Sequence, residues 1–573
     1  MTRPSVTCFG AAGEIGGNKL LLEDGERRIF FDFGKSFGRY GDFFDGVFLR
    51  ERVARGLLDA LSLRLIPPLR GVLRDDLVPV LQERDLMVEE IPPEGRQKKS
   101  RLVVQRVQES VEAFWAQLAR EEPAYRDLRR EDAPAVDLIL LSHAHQDHIA
   151  DLEYVSPRLP AASTRMTAFI SKVLLDTGPA GRSGAPWVNL RGPDAQGRLQ
   201  SQRESVSRPW NFLDGEPAGE ESADPLAEAR SFWSVQGEKP IAVQRAPSEP
   251  PLPLRFFPVD HSLYGAAGFA VETSAGWVGY SGDLRFHGAH AQDSWDFADG
   301  LGDLQLSALL CEGTRLSGGN STTESEVHDQ CLRAIRQAAG RLVVADFAPR
   351  NVERLQVFVE IARRTDRRLL VQPKDAYLLR AMHLADPNLP DVMLHPYVGL
   401  YDDPKARELG WEQLVRQRYR TEIVGPRQVA QHPGDFVLAF SLTDIPDLLD
   451  LQRLGQGTQA GIYLFSNSPA YDDEQMVDLV RLWRWIEHLQ MQLVGLRPEL
   501  RDDQGRVSRV VSDPGYHASG HAGRDELVEF VRRAKPQTLI PIHTERPELW
   551  HDLLRGAGIV VRPPALGEPL PIG

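Results

Sequence analysis

Cysteine is scarce in this sequence: Cys8, Cys311 and Cys331 are the only three among 573 residues. Three thiols make no disulfide framework, and so few point to a reducing compartment. No run of 18 apolar residues occurs, which excludes a spanning helix of ordinary length. The start, Met1-Thr-Arg-Pro-Ser-Val6, lacks the apolar core of a secretory signal, so the expected location is the cytoplasm, away from membranes. An excess of positive charge is also missing. Lys plus Arg is 67 against 81 Asp plus Glu, a net charge of −14. That excludes a basic coat along nucleic acid, but not a local groove or carboxylates neutralised by metal ions. There is no internal repeat, no low-complexity tract, and no G-x-G-x-x-G between a strand and a helix, hence no dinucleotide fingerprint. What remains is an ordinary globular composition, 42% apolar and 26% charged, long enough for about three or four domain-sized units.

The beginning reads as a meander. Residues 6–10, 18–22 and 28–32 are short β-type runs, separated by Gly13-Glu-Ile-Gly-Gly17 and by Asp24-Gly25. Residues 36–135 carry helical patterning, Pro67-Pro68 and a very polar patch at 92–100. Apolar spacing over 103–118 predicts an amphipathic helix. Residues 138–141 predict a buried strand. Residues 180–250, rich in Gly, Pro, Ser, Glu and Asp, read as loop; Trp187, Trp210 and Trp233 within them read as packing anchors in preference to base-stacking surfaces. From about 305 onward the pattern is α/β: strands at 342–346, 369–371, 436–440 and 462–465, helices near 351–364 and 473–490, a polar hairpin-like stretch, and a last strand at 538–543.

The strongest chemical signal is Ser142-His-Ala-His-Gln-Asp-His148, directly after the predicted strand at 138–141. His143, His145, Asp147 and His148 place four metal-capable side chains within six residues. On a turn, His143 and His145 can face one ion while Asp147 and His148 face a second. Imidazole and carboxylate ligands at close quarters suit zinc or manganese. Two ions need further ligands from elsewhere. His261, Asp283 and His543 each follow a β-type run, and Asp283 is the natural bridging carboxylate.

This set, with Asp32, resembles the metallo-β-lactamase fold, in which two sheets are sandwiched between helices with the metals at one edge. The resemblance implies that His143, His145 and His261 hold one ion, Asp147, His148 and His543 the other, with Asp283 bridging and Asp32 orienting the ligands. Later segments narrow it to the β-CASP nucleases, and within them to the ribonuclease J family. They are Gly13-Glu-Ile-Gly-Gly-Asn18, His261-Ser262 with Gly265-Ala-Ala-Gly-Phe269, Cys311-Glu-Gly-Thr314, Val343-Val-Ala-Asp-Phe-Ala348 with Asn351 and Arg354, Phe465-Ser-Asn-Ser-Pro469, Ser519-Gly-His521 and Pro541-Ile-His-Thr-Glu545. The expected fold is α/β: a metallo-β-lactamase αββα sandwich, residues 1–315 and 491–573, interrupted by an inserted α/β β-CASP domain, residues 316–490. Expansions fall near 36–135 and 180–250.

The activity this implies is hydrolysis of RNA phosphodiester bonds, exo- or endonucleolytic, by a hydroxide activated between two divalent ions and leaving 5′-phosphate ends. Zinc is the expected metal, with manganese the alternative. Asp147 and Asp283 position the nucleophile. His521, oriented by Glu312, contacts the scissile phosphate and assists the departing oxygen. Ser519, Arg350, Asn351 and Arg354 contact the RNA backbone, and Ser466 and Ser468 line a terminal-phosphate pocket. His543 stands where DNA-cutting relatives carry Val, which favours RNA, most simply single-stranded. A DNA-directed or dual nuclease on the same scaffold is the alternative, and a homodimer is left open. Small-molecule hydrolases of this fold lack the inserted domain and Ser519-Gly-His521, and inactive relatives lose ligands that are all present here. The sequence departs from the ribonuclease J pattern in its two expansions, in Ala150 where Gly is common, in an extra residue in Ala348-Pro-Arg-Asn351, and in Ser441-Leu-Thr-Asp-Ile-Pro446. It ends 30 residues after His543, so the separate C-terminal domain of many family members is expected to be missing.

Overall fold

The computed structural model describes the chain apart from residues 1–2, 46–48, 80–84, 90–99, 105–109, 179–183, 195–197, 216–224, 237–238, 245, 248, 319–321, 349, 404, 406, 455–460 and 471–472. It is a mixed α/β protein built on three large sheets. The first has seven strands. Across the sheet they run Trp210–Phe212, Ala161–Ser163, Leu138–Leu140, Arg27–Phe31, Leu20–Asp24, Ser5–Cys8 and Pro569–Pro571. The expected meander is there. Asp24 pairs with Arg27, so the hairpin closes through two residues, and Gly25 at φ 60° supplies the left-handed backbone that such a tight turn needs. The second sheet has six strands, in the order Leu254–Pro258, Ala267–Thr273, Gly276–Tyr280, Leu306–Cys311, Thr538–Pro541 and Val560–Val561.

Period-two alternation divides these strands between separate cores. Leu20, Leu22, Ile29 and Phe31 of the first sheet meet Phe269, Val271, Val278, Tyr280, Leu310 and Ile540 of the second. The Phe31 ring lies 4.9 Å from that of Tyr280. The alternate residues Leu21, Phe30 and Ile139 face outward onto Phe169 and Ile170 of helix Arg165–Asp176. Ala270, Leu309 and Leu539 face Phe297 and Leu301 of helix Ala291–Gly302 and Leu527, Phe530 and Val531 of helix Arg524–Ala534. Two sheets therefore sit between helices, and each buried Leu or Phe contributes roughly 1.5–3 kcal/mol.

The third sheet is an excursion between two neighbouring strands of the second. The chain leaves after Leu306–Cys311 and returns at Thr538–Pro541, which pairs with it in parallel from Ala308–Thr538 to Cys311–Pro541. In between lies a sheet of seven strands in the order Ile423–Val424, Val398–Tyr401, Arg368–Val371, Phe436–Ala439, Val343–Asp346, Ile462–Phe465 and Gln492–Val494. All their pairings are parallel. Parallel strands are covered on both faces, which is why Val343–Asp346 and Ile462–Phe465 are buried at every position.

Two expectations are corrected. Residues 180–250 are not structureless. Trp187–Pro193 and Leu199–Ser207 form an antiparallel pair, Trp210–Phe212 joins the first sheet, and Pro225–Trp233 is a helix. Trp187, Trp210 and Trp233 are buried together, with the Trp233 ring 5.6 Å from Trp210 and 5.7 Å from Phe169. They are packing anchors, as preferred, and their burial rules out base stacking. The polar composition belongs to the solvent face of the hairpin, not to a loop. The helix expected over 103–118 also starts later. Ser100–Val104 is a strand paired with Asp85–Glu89, residues 105–109 lie outside the described part, and the helix is Val111–Glu121, capped by Ser110 and anchored by buried Trp115. Among the described residues no helix is long and apolar enough to cross a membrane.

Candidate metal centre

The chemistry-bearing residues stand where strands end. Asp32 follows Arg27–Phe31, His143 and His145 follow Leu138–Leu140, and His261 follows Leu254–Pro258. Asp283 follows Gly276–Tyr280, Glu312 follows Leu306–Cys311, and His543 follows Thr538–Pro541. A strand end frees the backbone from the ladder while the buried strand fixes its starting point. Asp32 and His543 use that freedom at φ 55° and 51°, uncommon for residues with a Cβ. The loop 33–36 is pressed against the metal motif. Phe33 N donates to His148 O and Lys35 N to Gln146 O, and a Cβ on Gly34 would fall 1.7 Å from Asp147 O. Only glycine fits there.

The structure brings the expected ligands together in two sets. His143, His145, His261 and Asp283 offer atoms within 4.8 Å of one another, and so do Asp147, His148, Asp283 and His543. Asp283 is common to both. Its Oδ2 lies 3.6 Å from His143 Nε2 and 3.3 Å from His148 Nε2. His145 Nδ1 is 3.0 Å from His143 Nε2 and 3.1 Å from His261 Nε2. A tetrahedral ion with bonds of about 2.0–2.1 Å separates its ligand atoms by about 3.3 Å, so three lone-pair nitrogens at this spacing suit a shared cation.

Burial and unmet bonding test the fit further. Both Asp283 carboxylate oxygens, His148 Nε2 and His543 Nε2 are buried with no hydrogen-bond partner. Native interiors rarely leave such groups unsatisfied, and a divalent ion would satisfy them. Burial, reinforced by the neighbouring imidazoles, holds His143, His261 and His543 well below the usual histidine pKa. Burial and the Arg350 guanidinium do the same for His145. Neutral imidazole is the ligating form. His148 behaves differently: burial opposes its charge, but Asp283, Asp147 and Asp32 raise its pKa well above 6.5. The donor set therefore fits divalent-metal binding.

A second layer of bonds orients these side chains. Asp32 Oδ2 lies 2.7 Å from His148 Nδ1 and accepts from the Ser142 and Tyr280 hydroxyls. Asn18 donates to Tyr280 Oη at 2.9 Å and turns its Oδ1 to His543 Nδ1 at 2.9 Å. One buried chain thus links His148 to His543 through Asp32, Tyr280 and Asn18. The sequence marks Asp32 but not Tyr280, and marks Asn18 only as part of a glycine turn. Their single available signal is a polar group at one end of an apolar run, before Leu20–Leu22 for Asn18 and closing Gly276–Tyr280 for Tyr280.

Asp283, Glu312 and His521 form a third cluster. Glu312, fully buried, accepts from Leu284 N at 2.7 Å and Thr314 Oγ1 at 2.7 Å, and lies 3.3 Å from His521 Nδ1. Burial opposes charge on His521, yet Glu312 and Asp283 push its pKa up to about 9. Burial likewise opposes charge on Glu312, and His521 reverses the effect, so its pKa is lowered.

The expected substrate contacts divide. Arg350 interacts electrostatically with Asp147 and Asp375, and so lies between the metal motif and the third sheet. Ser519 Oγ accepts from His521 N at 3.1 Å. Ser468 is exposed. Asn351 caps helix Val352–Arg364 by accepting from Arg354 N. Arg354 is buried, paired with Glu324 at 2.7 Å and donating to Ser466 Oγ at 2.7 Å. The polar atoms of Arg354 and Ser466 are thus turned to each other and to the Tyr516 carbonyl, which makes them supports of the loop and leaves no free face for phosphate.

Residues 515–552, which include Ser519, His521 and His543, match the family model of the Zn-dependent metallo-hydrolase RNA specificity domain. The chain is similar to ribonuclease J of Mycolicibacterium smegmatis and of Mycobacterium tuberculosis, each 27% identical over 50% of this chain and 46% of theirs. It is also similar to ribonuclease J of Mycoplasma pneumoniae, 24% identical over 51% of this chain and 45% of that one. The chain spans about half the length of the curated relatives it matches. Among solved structures, a protein of unknown function from Enterococcus faecalis V583 shares the fold with a TM-score of 0.59 and 18% identity over 100% of both chains.

Proposed function

We propose that this protein is a metal-dependent ribonuclease similar to ribonuclease J, hydrolysing phosphodiester bonds of single-stranded RNA to leave 5′-phosphate ends. One observation carries the reading. Two ligand sets that share Asp283 meet at the edge where the RNA-specificity match supplies His521 and His543. Two sheets between helices, split by an excursion into a parallel sheet, support a metallo-β-lactamase αββα sandwich in residues 1–315 and 491–573 with a β-CASP domain inserted at 316–490.

His143, His145 and His261 would hold one ion, Asp147, His148 and His543 the other, and Asp283 reaches both. Zinc suits the imidazole-rich first set, and manganese is the alternative. Divalent ions held there supply Lewis acidity, lowering the pKa of water toward about 7 and offsetting phosphate charge. The protein's own groups do the rest. The Asp147 side chain is 23% exposed, against 1% for Asp283, so Asp147 is the carboxylate open to the cleft and orients the attacking water. His521 carries the proton. Glu312 engages Nδ1, and Nε2, which has no hydrogen bond among the described residues, donates to the departing 3′ oxygen. Arg350 faces Asp147 from the end of strand Val343–Asp346 and attracts the scissile phosphate. The RNA lies between the metal edge and the carboxyl ends of the third sheet's strands, where open α/β sheets place their ligands.

The test is cleavage of end-labelled RNA bearing 5′-monophosphate, triphosphate or hydroxyl ends, across a titration of zinc and manganese, with DNA of the same sequence alongside. Cleavage should require metal and fall to background in His145→Ala and Asp147→Ala, while circular dichroism shows both variants folded. Activity retained in the purified variants would overturn the mechanism. Equal cutting of DNA would replace ribonuclease with dual nuclease.

A further inference from the structure

We propose that Phe37 and Phe43, where the first expansion begins, form a stacking surface for single-stranded RNA running out of the metal centre. This rests on the ribonuclease reading above. Three observations converge on it. The first is placement. Lys35 N is hydrogen-bonded to the carbonyl of Gln146, the residue between His145 and Asp147. Phe37 stands two residues further, at most about 7 Å of chain. Ser36 lies against Gly17, whose neighbour Gly16 abuts the Asp147 side chain.

The second is exposure. Phe37 is 50% and Phe43 45% exposed, and they are the only phenylalanines among the exposed large apolar side chains of the described residues. Ile15, on the adjoining turn, is exposed as well, as are Leu49 and Val53. Half-exposed phenylalanine side chains left to solvent suit a binding face.

The third is charge. In a chain of net −14, the sequence from 35 to 55 carries Lys35, Arg39, Arg50, Arg52 and Arg55 against Asp42, Asp45 and Glu51. Lys35 pairs with Glu51, Arg39 with Glu14 and Arg52 with Asp59, whereas Arg50 pairs with no acid among the described residues.

The backbone beneath the patch is tied down. Ser36 Oγ donates to Glu14 at 2.6 Å, Lys35 lies 4.2 Å over the Tyr40 ring, and Tyr40 lies 5.0 Å from Phe44. Aromatic faces on a held backbone, interleaved with cations and beside a phosphodiester-cleaving centre, suit a strand of bases. Every base has a π-face, and such stacking is sequence-tolerant. A second copy of the chain, drawn by Leu49 and Val53, is the competing occupant.

The test uses the full chain with Asp147→Ala as background, so that bound RNA stays whole. Binding of a fluorescent 20-nucleotide single-stranded RNA is followed by anisotropy. The added pair Phe37→Ala and Phe43→Ala should raise Kd about 5- to 100-fold with the melting temperature unchanged, since both side chains are exposed. Phe43→Trp should keep the affinity, and a fall in its indole emission on RNA addition would report stacking directly. A Kd within twofold of the background, or an indole emission that RNA does not change, would overturn the proposal. So would a change in sedimentation with RNA affinity intact, which would assign the face to self-association. Failure of the parent to cut RNA with any metal would sink the ribonuclease reading instead, and the binding results separate the two.

Discussion

At the scale of single residues, the site shows how burial selects protonation states. His143, His145, His261 and His543 are kept neutral because a low-dielectric edge disfavours their charge, and neutral imidazole presents a lone pair. His521, a few ångströms away, is held charged because Glu312 and Asp283 outweigh the same burial. One neighbourhood thus holds both neutral and charged forms of the same side chain. The consequence is testable. His521→Ala should slow RNA cleavage by about 10²- to 10⁴-fold, the range of a lost general acid, with metal content unchanged by elemental analysis. Loss of metal would make His521 a ligand and withdraw its role as donor. Asn18 and Tyr280 carry the opposite lesson. Each is one polar residue in an apolar context, and what they do depends on partners separated from them by hundreds of residues.

At the scale of elements, apolar runs were legible because a parallel or inward-facing strand must be apolar. Strands at 5–8, 20–24, 27–31, 138–140 and 462–465 lie within a residue or two of their expected places. The failures were local too. Strand Leu199–Ser207 holds Gln, Arg, Glu and Ser on a hairpin with one wet face, and a wet face reads as loop. Helix Pro373–Ala385 raises a different point. Its first turn contains Asp375, buried below the carboxyl ends of the third sheet. Burial, with Asp444 adding to it, pushes this carboxyl up to about 7 against the pull of Lys374 and Arg350. Burial likewise raises Asp346 to about 6, against Tyr463 and Asn467. Unfolded carboxyls titrate near about 3.9. The folded chain therefore keeps protons that the unfolded chain releases, and this stability is present below about pH 4 and lost as pH rises through 6–7. Asp375→Asn should shrink the difference in urea midpoint between pH 5 and pH 8. An unchanged difference would mean that Asp375 is ionised throughout.

At the scale of the whole molecule, buried ion pairs tie the third sheet to the metal edge. Arg285, two residues after Asp283, is fully buried, and its Nη2 lies 2.7 Å from Asp260 and 2.8 Å from Glu353. Asp260 precedes His261, and Glu353 stands in the first turn of helix Val352–Arg364. On the other flank, buried Asp176 pairs with Lys172 and accepts from Tyr377 of helix Pro373–Ala385 at 2.8 Å. Removing one partner of a buried pair costs about 3–5 kcal/mol because the remaining charge is stranded. Glu353→Ala should lose about that much and split the calorimetric unfolding transition, the excursion melting before the two-sheet body. A single transition at the parent temperature would show that this tie holds nothing together. The net charge of −14 also looks different at this scale. It includes Asp32, Asp147, Asp283 and Glu312 at the candidate centre, where two divalent ions would offset it.

The sequence by itself determined a local cluster of metal-capable donors. His143, His145, Asp147 and His148 are four donors in six residues, and adjacent donors on a turn must face one locality whatever else folds around them. It also determined the apolar strands that deliver His261, Asp283 and His543, since a strand end is a local property. Only the tertiary structure decided that these ends converge, that Asp283 is common to both sets, and that Arg354 and Ser466 hold a loop while Arg350 interacts with Asp147 and Asp375. Those outcomes depend on parallel pairings such as Leu306–Cys311 with Thr538–Pro541, made across more than two hundred residues. Contacts of that range leave no periodicity in the chain, because they are chosen by the packing of whole sheets and not by any neighbour in sequence.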